Sequence, residues 1–487
     1  MKKLIILLIG LLMLCGCNTV ISENTKSNSE ASEDAYNLSF SETDQDASYS
    51  LNGSTYISLG DEDVKITKGG TYILEGNLSG SIIVEVSDKE DVQLVLNNVT
   101  IQSGDFAGIY IVEGDEITIT LADGTNNTIS DSSVYTQIDD NEVDALIYSK
   151  ADLTINGNGT LNLGSDYNHG IVSKDDLIII SGTYNIDVAG QGMRGKDCLK
   201  IMDGTFKISS GKDSLKSDNE EDAYRGYIYI AGGSFDISSD ADGIYAYSLL
   251  EITGGNFNIV TNESTAADSY KGIKSDGEIN ISGGTFNIDT VDDAIHTDGD
   301  ITIENGDITI ESDDDGIHAD SKITINDGNI VINAHEGIEA TYVVINGGNI
   351  SITANDDGIN ASQTVDTYTA TIEFNGGYTK IVMGQGDTDG VDSNGYIIIN
   401  DGTVDVSGQN TFDAELGSEF NGGTLIVNGS EVDEIPADMM GGGGMHGMGG
   451  MNFNSGSFNQ YSGDETQSPE SGWNSAEQRP NGFNHRH

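Results

Sequence analysis

A two-residue mark, a small residue followed by an aliphatic one, recurs through most of this chain and constrains it more than any other feature. It reads Ala145-Leu146, Gly170-Ile171, Gly192-Met193, Ser214-Leu215, Gly243-Ile244, Gly272-Ile273, Ala294-Ile295, Gly316-Ile317, Gly337-Ile338, Gly358-Ile359 and Gly390-Val391. The steps are 25, 22, 22, 29, 29, 22, 22, 21, 21 and 32 residues. Twelve residues after most marks stands a glycine, as at Gly157, Gly182, Gly204, Gly255, Gly284, Gly306, Gly328 and Gly402. Periods of this length belong to repeat architectures, in which no unit buries its apolar face alone.

One unit shows the build. Asp315-Gly316-Ile317-His318-Ala319, then Ile323-Thr324-Ile325, then Asn326-Asp327-Gly328, then Ile330-Val331-Ile332 gives three short alternating stretches separated by polar turns. Period-two alternation rich in β-branched residues predicts strands, and three strands with three turns in about 22 residues make one triangular coil. Ile317, Ile323, Ile325, Ile330 and Ile332 are the expected inward residues. The expected fold class is therefore all-β, a single-stranded parallel β-helix (β-solenoid) of about 22 residues per coil. A leucine-rich-repeat horseshoe fails on its missing leucine and asparagine spacing, and a nine-residue calcium β-roll fails on period. All three prolines, Pro436, Pro469 and Pro480, lie at or beyond the end of the repeats, as a ladder that needs every N–H requires.

Lys and Arg number 21 against 80 Asp and Glu, a formal charge of −59. A nucleic-acid partner is excluded by the repulsion of phosphate. The residue before each mark forms a column: Asp144, His169, Gln191, Asp213, Asp242, Lys271, Asp293, Asp315, Glu336, Asp357 and Asp389. Carboxylates roughly 4.8 Å apart on neighbouring coils repel by about 1 kcal/mol even in water. Asp292, Asp313, Asp314, Asp356 and Asp387 crowd the same place. Oxygen-only ligands of flexible number favour Ca²⁺ over Zn²⁺ or Mg²⁺, and the expected ligands are Asp293, Asp314, Asp315, Glu336, Asp356, Asp357, Asp387 and Asp389. The alternative is a solvated acidic face with raised pKa values and no ion.

Two residues after each mark runs a second column: Val172, Arg194, Lys216, Tyr245, Lys274, His296, His318, Glu339, Asn360 and Asp392. Arg194, Lys216, Tyr245, Lys274, His296 and His318 are the candidate carbohydrate contacts, since Arg and Lys pair with sugar carboxylates and Tyr stacks on a pyranose. The bland alternative is a solvent-facing, polar strand position. His296 and His318 stand on adjacent coils, an arrangement more often merely exposed than metal-binding. Met445, Met448, Met451 and His446 are read as a flexible tail rather than a copper site.

At the N-terminus, Lys2 and Lys3 precede an apolar run from Leu4 to Leu14, a signal-peptide pattern too short to span a bilayer comfortably. Leu14-Cys15-Gly16-Cys17 resembles the bacterial lipobox. The resemblance implies cleavage before Cys17, its lipidation, and a place on the extracellular face of the bacterial membrane. The expected organisation is 1–17 lipoprotein signal peptide, 18–50 flexible polar tether, 51–436 β-helical domain and 437–487 disordered Gly/Met/Asn/Ser-rich tail. Cys198 falls at a turn of the repeat, with nothing nearby to mark an activated thiol.

Three phrases in order, Gly70-Thr71-Tyr72-Ile73-Leu74-Glu75-Gly76, Leu94-Val95-Leu96-Asn97-Asn98-Val99-Thr100-Ile101 and Ile119-Thr120-Leu121-Ala122-Asp123-Gly124-Thr125-Asn126-Asn127-Thr128, precede the Asp-Gly-Ile coils. Over about residues 51–430 the chain resembles the β-helical carbohydrate-binding domain family of clostridial secreted proteins. That resemblance implies a right-handed helix of pectate-lyase type, bound calcium, and adhesion to cellulose or acidic, pectin-like glycans without catalysis. A polysaccharide lyase using Arg194, Lys216 or Lys274 as base is the alternative, and a surface spacer without a glycan ligand is the second.

Overall fold

The computed structural model describes residues 35–262, 269–384 and 388–436. Those residues form 43 strands and one helical turn, Glu42–Gln45. Through the repeats each strand pairs in parallel with its equivalent one unit on. Thr183–Val188, Thr205–Ser210, Ser234–Ser239, Asn256–Thr261 and Thr285–Thr290 form one such ladder, in register throughout. Two more ladders run beside it, one through the strands that carry the mark and one through Cys198–Ile201, Tyr227–Ile230 and Leu249–Ile252. All are joined in one large, mostly parallel sheet.

The alternation of the sequence is the alternation of burial: Ser234–Ser239 reads exposed, buried, exposed, buried, exposed, buried. Ile317, Ile323, Ile325, Ile330 and Ile332 are all buried to within 1% of full coverage. Each such side chain contributes about 1.5–3 kcal/mol on leaving water, against the equivalents on neighbouring coils. Within this core Tyr184, Phe206, Phe235, Phe257 and Phe286 form a stack whose ring centroids lie 4.9, 4.6, 4.7 and 4.7 Å apart. The strand spacing, about 4.8 Å, sets that separation.

Two glycine positions show why the marks exist. A Cβ at Gly316 would stand 2.4 Å from Ile332 Cγ2 and 2.6 Å from the carbonyl of Gly337 on the next coil. Gly255, at φ +119°, would put its Cβ 2.9 Å from the Phe257 ring. Asparagines at one corner add an amide ladder: Asn346 donates to Asn326, Asn375 to Asn346, Asn400 to Asn375 and Asn421 to Asn400, at 2.8–3.0 Å. The last parallel strand, Thr424–Val427, is met antiparallel by Ser430–Val432, which occupies its free edge.

The chain before the repeats differs from the expected tether over its described part. Tyr36 packs edge-on against Tyr224 and Tyr227, and Phe40 stacks on Tyr229 at 5.6 Å. The buried Lys200 donates to the Ser39 carbonyl (2.8 Å), Asn156 to the Asp44 carbonyl (3.0 Å) and Gln93 to the Ser48 carbonyl (3.3 Å). Between them Ser41 and Asp44 close a capping box on the single helical turn. The polar composition of 18–50 hides the alternating Tyr36, Leu38 and Phe40, which supply the apolar surface for docking. Cys198 opens the strand Cys198–Ile201 rather than lying in a turn; it is fully buried, and burial pushes its thiol up. Residues 1–34 with Cys17, Asp387, and residues 437–487 with Met445, His446, Met448 and Met451 lie outside the described residues.

Candidate functional site

The second column forms as the spacing predicts. Arg194 pairs with Lys216, Lys216 with Tyr245, Tyr245 with Lys274, Lys274 with His296, His296 with His318, His318 with Glu339, Glu339 with Asn360 and Asn360 with Asp392, each across adjacent coils. The acid column lies beside it, and the two converge at a separation of three residues. Lys216 meets Asp213 at 2.8 Å, His296 meets Asp293 at 2.8 Å and His318 meets Asp315 at 3.1 Å.

The acids are less exposed than a solvent-facing column would be: Asp213, Asp242, Asp293 and Asp315 are all buried. Asp213, Asp242 and Asp293 stand just before their strands and Asp315 opens its own, and carboxyls of this column accept backbone N–H groups from the next coil. Asp213 accepts from Asp242 (3.3 Å), Asp293 from Asp315 (3.2 Å) and Asp357 from Asp389 (3.0 Å). This structural duty leaves no trace in composition or spacing.

In the N-terminal half the carboxylates have cations. Arg194 bonds Asp218 at 2.8 Å, and Lys271 reaches both Asp292 and Asp293 at 2.8 Å. Tyr245 has Lys216 Nζ 4.6 Å from its ring centre and Lys274 Nζ at 5.0 Å, while its hydroxyl donates to Asp276. Those lysines come from the two flanking coils, so the ring expected to stack on a pyranose already has two ammonium groups beside it. Burial opposes ionisation of Asp293, but hydrogen bonds from His296 and His318 and the Lys271 charge hold its carboxyl well below the usual range. His318, against the effect of burial, is pushed up to about 11 by Asp293 and Asp315. Asp315 is raised to about 6, mainly by burial. Asp293 is thus engaged by side-chain cations rather than standing open to calcium. Asp314, next to it, is raised by burial and by Asp293 and Asp292.

From Glu336 onward the balance changes. Burial, then Glu339 and Asp315, raise Glu336 to about 8. Burial, then Asp357, Asp389 and Asp413, raise Asp392 to about 7. Asp357 is raised as well, by burial first and by Asp356 and Glu339. Among the described residues no Lys or Arg forms an ion pair with Glu336, Glu339, Asp357 or Asp392. Asn360 reaches Glu336 and Glu339 at 3.3 and 3.4 Å. Asp356 lies with His335 and Glu336 in a group whose ligand atoms are within 4.8 Å of one another. Glu339 and Asp392, which the spacing puts in the second column, therefore join Glu336, Asp357 and Asp389 as candidate oxygen ligands; Asp413 continues the column beyond the last mark. The signal was present in the sequence, where the second column itself turns acidic.

Residues 60–316 and 314–472 match the family described as carbohydrate-binding domain-containing protein, and the chain belongs to that family. A curated relative of the same description from Acetivibrio thermocellus is 38% identical over 133 residues, 27% of this chain and 46% of the relative. The aligned part thus spans about half the length of that relative. A solved structure described as a polysaccharide lyase-like protein from C. thermocellum, in a gadolinium derivative, aligns with a TM-score of 0.44 and 29% identity over 48% of this chain and 97% of that one.

Proposed function

We propose that this chain is a right-handed, single-stranded parallel β-helix that binds acidic polysaccharide through Ca²⁺, held on the C-terminal half of the two-column face. The observation that carries the reading is the run of carboxylates from Glu336, Glu339, Asp357, Asp389 and Asp392, whose mutual repulsion and burial raise several of them toward neutrality. A Ca²⁺ ion takes six to eight oxygens at about 2.3–2.6 Å and keeps positions for a sugar carboxylate. Family membership supports a carbohydrate partner. Arg194 and Lys216, which could meet a uronate, are already paired with acids, and Lys274 lies 3.8 Å from Asp276. Binding is favoured over lyase chemistry for that reason: each candidate base has a carboxylate holding its proton. Lipidation of Cys17 would place the domain on the extracellular face of the bacterial membrane, and loss of lipid incorporation in Cys17→Ser tests it.

The decisive experiment is calorimetric titration of the chelator-treated full chain with Ca²⁺, then with polygalacturonate. Calcium uptake followed by calcium-dependent glycan binding, without unsaturated product absorbing in the ultraviolet, is expected. Product formation would move the reading to a lyase, and silence in both steps would leave a surface spacer.

A further inference from the structure

Residues 36–48 cross a strip of outward-facing side chains that steps in register from Tyr229 through Lys200, Ile178, Thr154 and Thr118 to Gln93. The bonds between the two run almost all one way. Tyr227 donates to the Asn37 carbonyl (3.0 Å), Lys200 to that of Ser39 (2.8 Å), Asn156 to those of Asp44 and Asp46 (3.0 and 3.3 Å) and Gln93 to that of Ser48 (3.3 Å). Thr154 donates to the Asp44 carboxylate (3.2 Å). Only Tyr36 donates in return, to the Ala223 carbonyl at 3.4 Å. The segment therefore offers the strip a line of oxygens and one ring, Phe40, stacked on Tyr229 at 5.6 Å.

The segment sits on the strip without being built into it. Its backbone hydrogen bonds stay within Ser41–Ala47, and none reaches a coil. None of residues 36–48 is buried. The exposed Tyr49 and Leu51 join it to the first strand, Thr55–Leu59, so it can leave without unpairing a coil.

Lys200 lies beneath it as the one buried Lys or Arg among the described residues, 2% exposed. In a chain with 80 Asp and Glu it forms no ion pair among those residues. Its ammonium has the Ser39 carbonyl and stands 5.8 Å from the centre of the Phe40 ring. A buried cation without a carboxylate has the most to gain from an anion. The strip also accepts acidic chain already, since Glu42, Asp44 and Asp46 are the only charged residues of the segment.

We propose that residues 36–48 are a displaceable strap over a second glycan strip, used without calcium and separate from the two-column face. Lys200 takes a uronate carboxylate, Tyr229 stacks on a pyranose once Phe40 leaves, and Tyr227, Asn156 and Gln93 donate to sugar oxygens. The choice of an acidic glycan rests on the function proposed above.

The test is calorimetric binding of oligogalacturonate to the chelator-treated full chain at physiological salt. Tyr36→Ala/Phe40→Ala should bind at least tenfold more tightly than the wild type, and Lys200→Met or Tyr229→Ala added to it should remove the gain. No gain in a variant whose released strap is cut by protease, or a gain that survives both further changes, overturns the proposal. If the variant fails to fold, the wild type decides: excess oligogalacturonate should speed proteolysis within residues 36–46, and an unchanged rate overturns the proposal. Calcium-dependent binding at the two-column face is read separately after Ca²⁺ is restored, so either reading can fail alone.

Discussion

Lys271 stands in the acid column yet carries the opposite charge, and it reaches Asp292 and Asp293 at once. Its side chain is 14% exposed and that of Asp293 5%, so water does little to replace the pair. Removing one partner of such a pair costs about 3 kcal/mol or more, because a buried charge is left behind. Lys271→Met is expected to lower the urea midpoint accordingly, and adding Asp293→Asn should recover part of the loss. Failure of the second change to recover anything would mean that His296 and His318 suffice to hold Asp293. The same residue-level logic separates the acids: those of the N-terminal half have nearby cations, whereas Glu336, Asp357 and Asp392 have chiefly each other.

At the level of elements, the ladder from Thr183–Val188 to Thr285–Thr290 depends on its ring stack. Phe257 lies 4.7 Å from the rings on either side. Phe257→Ala should cost about 3–5 kcal/mol, and Phe257→Leu less, because Ile308, Ile330 and Ile350 already carry the same inward column onward. Equilibrium unfolding of the two variants compares them directly. The N-terminal segment is held by fewer contacts. Tyr36→Ala/Phe40→Ala should release residues 36–46 while leaving the strands intact, so limited proteolysis would cut there at unchanged strand signal. Resistance equal to wild type would show that the side-chain bonds from Lys200 and Asn156 to the Ser39 and Asp44 carbonyls hold the segment by themselves.

For the whole molecule, pH and calcium act on the same groups. An unfolded glutamate ionises in its usual range, whereas folded Glu336 keeps its proton to about 8 and Asp392 to about 7. Between those limits the folded state binds more protons, so stability falls as pH rises. His318, raised to about 11, adds to the fall above its ordinary value for the same reason. Asp293 works in the opposite sense at the acid end: its depressed carboxyl stabilises above the usual carboxylate range, and that share is lost as pH drops through the folded value. The calcium-free melting temperature should therefore peak in mildly acidic solution and decline from about pH 5 to pH 8. Calcium should flatten the decline by binding the ionised folded state. Asp357→Asn/Asp392→Asn should show a shallower decline and a smaller calcium gain; an unchanged calcium response in that variant would remove those residues from the ligand set.

The sequence by itself determined the repeat, the strand content and the inward isoleucines, because alternation and small-residue spacing are local patterns imposed by strand geometry. It also determined the column from Arg194 to Asp392, since a regular mark counts register even across the 32-residue step. Only the tertiary structure decided what those side chains do. That Tyr245 has lysines from both flanking coils beside its ring, that Asp293 is engaged by Lys271 and two histidines, and that ladder acids accept N–H groups from the next coil all depend on residues some 20–30 positions apart meeting across coils. The docked segment at Tyr36–Asp46 was likewise illegible, since its contacts reach across more than a hundred residues. Charge balance is a property of distances in space, and the linear order of acids and bases does not contain them.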